Sequence, residues 1–232
     1  DSQSGGWSGM ISNFISIFSN GSMSFGEKIM YILFYVFCIL FSLIIHECAH
    51  GWVALKCGDP TAKWMGRLTL NPARHLDPVG TICMLLIRVG WAKPVPINPN
   101  NFRNYRRDYI LVSFAGIMAN SLIFLLSTFF AVLSAKHLTQ KWIYYVFELF
   151  IMLGQMNLSL AVFNLLPVPP LDGFRILDQI AFKGTLNLSR QAMQYIQIGF
   201  LIVCVSGLLN GLLSRIISSV YYAVFNLFGG IL

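Results

Sequence analysis

The sequence predicts an all-α polytopic membrane protein of about four transmembrane helices, with a small β element dipping into the membrane and one re-entrant segment. Two observations carry that fold class. Of 232 residues, 56% are hydrophobic and only 11% charged, against about one quarter charged in a soluble domain. Uncharged runs also recur at 29–45, 109–135, 149–171 and 191–214, each near or above the roughly 17 residues needed to cross hydrocarbon.

Each element follows from local pattern. Residues 10–20 (MISNFISIFSN) mix apolar and small polar residues and read as an interfacial helix, and residues 1–24 lack the pattern of a cleavable signal peptide. Residues 67–71 (RLTLN) alternate as a strand does, and 94–98 (PVPIN) carries prolines suited to a sheet edge. Together they predict the small sheet. Residues 77–89 (DPVGTICMLLIRV) are too short to cross and read as the re-entrant segment or as a loop packed on the bundle. The uncharged stretch 216–232 extends the fourth helix or lies flat. The expected organisation is an N-terminal interfacial segment over 1–27, an intramembrane core over 28–182, and a C-terminal helix and tail over 183–232.

Charge sets orientation. Lys56, Lys63, Arg67, Arg74, Arg88, Lys93, Arg103, Arg106 and Arg107 lie between the first two spans, and Arg175, Lys183 and Arg190 follow the third, twelve of the sixteen basic residues. The positive-inside rule puts these loops in the cytoplasm. The net charge of +7 is thereby a matter of topology, and nucleic acid is not an expected partner. Five cysteines without a CxxC pair indicate neither a disulfide framework nor a zinc knuckle.

At the cytoplasmic end of the first span stands His46-Glu47-Cys48-Ala49-His50, the pattern HExxH. Residues i and i+4 share one helix face, so both imidazoles reach one ion while the intervening glutamate stands beside it to hold a water. Ionisable groups at membrane depth are costly to bury and are usually functional, which favours zinc over a packed polar cluster. A catalytic zinc needs a third protein ligand. Asp59, His75, Glu148 and Asp172 are the candidates, and depth favours Asp172 over Glu148. Asp172 follows three prolines in NLLPVPPLDG, which forbid a regular helix, and precedes Gly173, which permits an unusual turn. A simple N-cap is the plainer role for Asp172, and both roles are compatible.

HECAH, NLLPVPPLDG and Ala115-Gly116-Ile117-Met118-Ala119-Asn120 resemble, in sequence and order, the HExxH, aspartate-bearing and AGPxxN elements of the site-2 protease family of intramembrane metalloproteases. The loop segments GDPTAKWMGRLTLNP and GWAKPVPINPNNFRN resemble its small prokaryotic branch without a PDZ domain. Ile117 stands where the family has proline, which should leave that helix straighter. The resemblance implies one Zn2+ per chain held by His46, His50 and Asp172. It implies Glu47 as the catalytic base and Asn120 as an oxyanion or substrate-backbone contact, or else as a helix-to-helix bond. The implied activity is cleavage of a transmembrane helix of a membrane-protein substrate near the cytoplasmic face, in the cell membrane, with lipid around the spans. A catalytically inactive scaffold and a zinc transporter are the alternatives.

Overall fold

A computed structural model describes residues 23–77, 93–136, 140–186 and 188–231. Its chain falls into two compact units, Asp1–Ser42 with Asn120–Val162 and Gly207–Leu232, and Leu43–Ala119 with Phe163–Ser206. Four helices are long and apolar enough to cross a membrane.

Helix α1, Phe25–Cys57, opens on a reciprocal cap. Ser24 Oγ accepts from Glu27 N–H at 3.3 Å, and Glu27 Oε2 accepts from Ser24 N–H at 3.0 Å, so two orphan amides of the first turn are satisfied. At 1.5 Å per residue, His46 lies about 30 Å from its start, near the far side of a hydrocarbon layer. The short helix α2, Thr61–Trp64, follows. Two 3₁₀ turns, Pro72–Arg74 and Pro99–Asn101, each follow an asparagine whose side chain accepts from an amide two residues on. That is the Asx turn that Asn-Pro favours.

Helix α3, Tyr105–Ala135, runs unbroken through Ile117, and α4 spans Lys141–Asn164. Leu165–Leu171 is not helical, because Pro167, Pro169 and Pro170 cannot continue a helix. The third span therefore ends at Asn164, earlier than the uncharged run suggests. Asp172 does not end it but opens a separate helix, α5, Asp172–Ala181, with Leu171 as its N-cap.

The fourth span is displaced from 191–214. Helix α6 (Arg190–Ser206) stops at Gly207, whose φ of +78° terminates helices readily, and α7 (Asn210–Ile231) is the span-length helix. A hydropathy window averages across the Ser206-Gly207 break and cannot see it. Leu213, Ile217 and Tyr221 form the buried stripe of α7 at four-residue spacing.

No strand forms at 67–71 or 93–98. The two segments are joined instead by a side chain, Arg67 Nη2 donating to the carbonyls of Lys93 at 2.7 Å and Pro94 at 3.3 Å. The prolines at 94 and 96 remove two of the amides a ladder would use. The expected interfacial helix at 10–20 and all but Asp77 of the expected re-entrant segment lie outside the described residues. Cys38, Cys48, Cys57 and Cys204 are free thiols.

Candidate metal centre

Helix α1 places His46 and His50 one turn apart, and both are buried. Their Nε2 atoms lie 3.0 Å from each other. Asp172, the first residue of α5, sets Oδ2 3.2 Å from His46 Nε2 and 3.1 Å from His50 Nε2. Among the described residues this is the group of three His, Cys, Asp or Glu able to share an ion. A tetrahedral zinc with bonds of about 2.0–2.2 Å needs donors roughly 3.3 Å apart, so the triangle fits.

The neighbours fit as well. His50 Nδ1–H donates to the Val112 carbonyl at 2.7 Å, which fixes the tautomer whose Nε2 lone pair faces the other two donors. A Cβ on Gly116 would fall 2.4 Å from His46 Cε1 and 2.5 Å from His50 Nε2, so only glycine lets α3 lie against both rings. Burial opposes ionisation of Asp172. The two imidazoles set against its carboxylate outweigh that and hold the carboxyl well below the usual carboxylate range.

Glu47 is half-buried, and its Oε2 accepts from Val95 N–H at 2.8 Å. Sequence reasoning, which read 94–98 as a sheet edge, missed this contact. The missed signal was Pro94-Val95-Pro96, in which a single amide is left to be claimed. Gly173 also serves differently from expectation. It is helical, and a Cβ there would meet the Leu165 carbonyl oxygen at 2.2 Å, so space and not turn geometry demands glycine.

The other third-ligand candidates have other partners. Asp59 is fully buried and accepts from Thr61 N–H at 3.1 Å, Asn98 N–H at 2.7 Å and Asn101 Nδ2 at 2.8 Å. Burial opposes its ionisation too, but these bonds prevail and its carboxyl lies below the ordinary range. His75 Nε2 donates to the Thr69 carbonyl at 2.7 Å. Glu148 and Asn120 belong to the other unit, where Asn120 is fully buried within α3.

Comparison with known proteins agrees with this chemistry. The sequence profile of peptidase family M50 matches residues 134–206. The chain is 38% identical, over 84% of its length and 91% of the relative's, to "Putative zinc metalloprotease YwhC" of Bacillus subtilis. It is 31% identical to "Putative zinc metalloprotease Rip2" of Mycolicibacterium smegmatis over 72% of this chain, and it spans 63% of that relative. The Mycobacterium tuberculosis protein of the same name is 30% identical over 74% of this chain and 66% of its own length. No solved structure matches.

Proposed function

Since the chain belongs to peptidase family M50, the site-2 protease family of zinc metalloproteases, we propose that it hydrolyses a peptide bond within a membrane-spanning helix of another protein. It is a metallopeptidase and a multi-pass membrane protein. The observation that carries the intramembrane reading is that both histidines of the His-His-Asp triangle stand on α1, a span-length helix, with the Glu47 carboxylate between them in sequence and Asp172 brought to them by α5.

His46, His50 and Asp172 would hold the zinc. When bound, it supplies a Lewis acid that acidifies a water and polarises the scissile carbonyl. Glu47 Oε1 takes the proton of the attacking water, and the same oxygen hands it to the leaving nitrogen as the carbon–nitrogen bond breaks. Oε2 meanwhile stays on Val95 N–H. Asn120 we assign to holding the oxyanion or the substrate backbone, for which its amide donor suits it. The bias of basic residues toward the loops after the first and third spans supports a cytoplasmic site. A helical substrate has to unwind before its carbonyls are open to attack, so glycine, proline or asparagine near the cytoplasmic end should mark the cut.

A zinc transporter would carry ionisable residues along its span. Between Lys28 and His46, α1 has none. An inactive scaffold needs no carboxylate at position 47. The test is Glu47→Gln, which keeps a water-holding group and removes the proton acceptor. We expect one zinc per chain by elemental analysis and a loss of turnover of about 10²- to 10⁴-fold, with intact substrates accumulating in the membrane proteome. Turnover within twofold of wild type would overturn the assignment.

A further inference from the structure

Residues 93–101 belong to no helix before Pro99 and to no sheet, yet the chain there is tied down repeatedly within one compact unit. Lys93 N–H donates to the His75 carbonyl at 2.8 Å. Arg67 Nη2 holds the carbonyls of Lys93 and Pro94. At the far end, Asp59 holds Asn98 N–H and Asn101 Nδ2, and is itself braced by the amide and hydroxyl of Thr61. Between the two clamps, Val95 N–H meets Glu47 Oε2. The Val95 side chain is 6% exposed, and its Cγ1 lies 3.0 Å from where a Cβ on Gly51 would sit, one turn beyond Glu47.

Arg67 gives the reason to read a purpose into this. Its side chain is buried, two carbonyls accept from Nη2, and Nε has no partner among the described residues. A guanidinium placed so is costly to desolvate and regains only part of that cost. Asp59 is likewise fully buried. Two opposite charges, each spent on backbone or amide groups of one irregular segment, do not act as a salt bridge. What they fix is the segment's position, and the one amide that Pro94-Val95-Pro96 offers is the one on Glu47.

We propose that Asp59 and Arg67 are positioning residues for Glu47: by clamping 93–101 at both ends they hold Val95 N–H where it anchors Oε2 and leaves Oε1 to move the proton. The inference rests on the reading of Glu47 as base. An anchored carboxylate keeps one rotamer, whereas a misplacement of about 1 Å at a reacting group costs on the order of 10²-fold in rate. Arg67→Met and Asp59→Asn should therefore lower kcat about ten- to a hundredfold, with KM and zinc content close to wild type. Arg67→Lys should recover part of the loss, since an ammonium still reaches one carbonyl.

Hydrogen exchange on the full-length, zinc-loaded protein tests this directly, because over 93–98 only Lys93, Val95, Ile97 and Asn98 carry reporting amides once prolines are excluded. With single-residue fragmentation, Val95 exchange should rise at least tenfold in Glu47→Ala and in Arg67→Met. In Asp59→Asn both Val95 and Asn98 should quicken. Asn101→Ala removes one donor to Asp59 from an exposed residue. It should quicken Val95 about threefold even if the Asp59 variant fails to fold. Turnover is read on a polyleucine transmembrane peptide bearing one Asn-Gly pair. Val95 exchange within twofold of wild type in Arg67→Met and Asn101→Ala overturns the clamp, as does faster exchange with unchanged kcat. Full turnover in Glu47→Gln instead overturns the base, while the exchange data still judge the clamp by themselves.

Discussion

The buried hydroxyls of one unit and the buried ionisable side chains of the other bond in different ways. In the unit drawn from Asp1–Ser42, Asn120–Val162 and Gly207–Leu232, hydroxyls turn back on their own helices. Ser42 donates to the Cys38 carbonyl at 2.6 Å, Thr128 to Phe124 at 2.8 Å, and Ser159 to Gln155 at 2.7 Å. In the unit of Leu43–Ala119 and Phe163–Ser206, buried groups reach far along the chain: His50 to Val112, Glu47 to Val95, Asp59 to Asn98. The first habit lets apolar helices carry hydroxyls at little cost. The second holds non-helical chain in place around a site, and each bond there has consequences elsewhere.

The comparison breaks or sharpens on four substitutions, taken from the largest effect on the site to the smallest. Gly173→Ala drives a Cβ into the Leu165 and Leu166 carbonyls at 2.2 and 2.6 Å. Backbone cannot step aside as a side chain can, so α5 must shift and Asp172 with it. Zinc content by elemental analysis should fall below half an ion per chain and cleavage should be lost. Retained zinc would show that the loop before α5 is soft.

Gly116→Ala brings a Cβ to 2.4–2.6 Å from imidazole atoms of His46 and His50, closer than a real Cβ comes, so both rings must swing aside, while alanine in a helix interior is itself favourable by about 0.5–1 kcal/mol. Because the displaced groups are side chains and not backbone, the variant should still fold and yet bind zinc roughly ten- to a hundredfold more weakly, measured by chelator competition. Arg106→Ala is milder. Arg106 Nε donates to the Gln179 carbonyl at 2.8 Å and Nη2 to Ile180 at 3.2 Å, at the C-terminal end of α5. A cation there contributes about 0.3–1 kcal/mol, so zinc affinity should drop by no more than about fivefold.

These contrasts explain what the sequence disclosed. HExxH could be read because both histidines and the glutamate sit within one helical turn, and spacing alone sets their geometry. Span count was legible for a similar reason, since composition reports solvent. The displaced fourth span was not, because one residue in the left-handed region at Gly207 ends a helix without changing mean hydropathy. Asp172 was reached by depth and resemblance. Arg67, Asp59 and the Val95 amide were not reached as a clamp, because their partners lie 26 to 48 residues away. No periodicity encodes such a distance. Alternation at 67–71 even suggested a sheet where a single arginine makes the connection.

The smallest effect belongs to Ser42, whose hydroxyl also accepts from Asn157 Nδ2 at 2.8 Å, both side chains being fully buried. In Ser42→Ala the Cys38 carbonyl keeps its helical amide, so that end loses little. Asn157 keeps its bond to the Leu153 carbonyl at 2.9 Å but has one amide hydrogen left without its acceptor, which costs about 1–3 kcal/mol when buried. The thermal midpoint in detergent should fall by several degrees, while zinc affinity and turnover stay within twofold of wild type. Pairing it with Asn157→Leu removes the stranded donor along with its lost acceptor. Replacing both partners by apolar groups is nearly neutral, so the double variant should regain most of the midpoint. A tenfold loss of zinc affinity in Ser42→Ala would sink the contrast drawn here, because it would mean that the locally bonded interior and the site respond as one network.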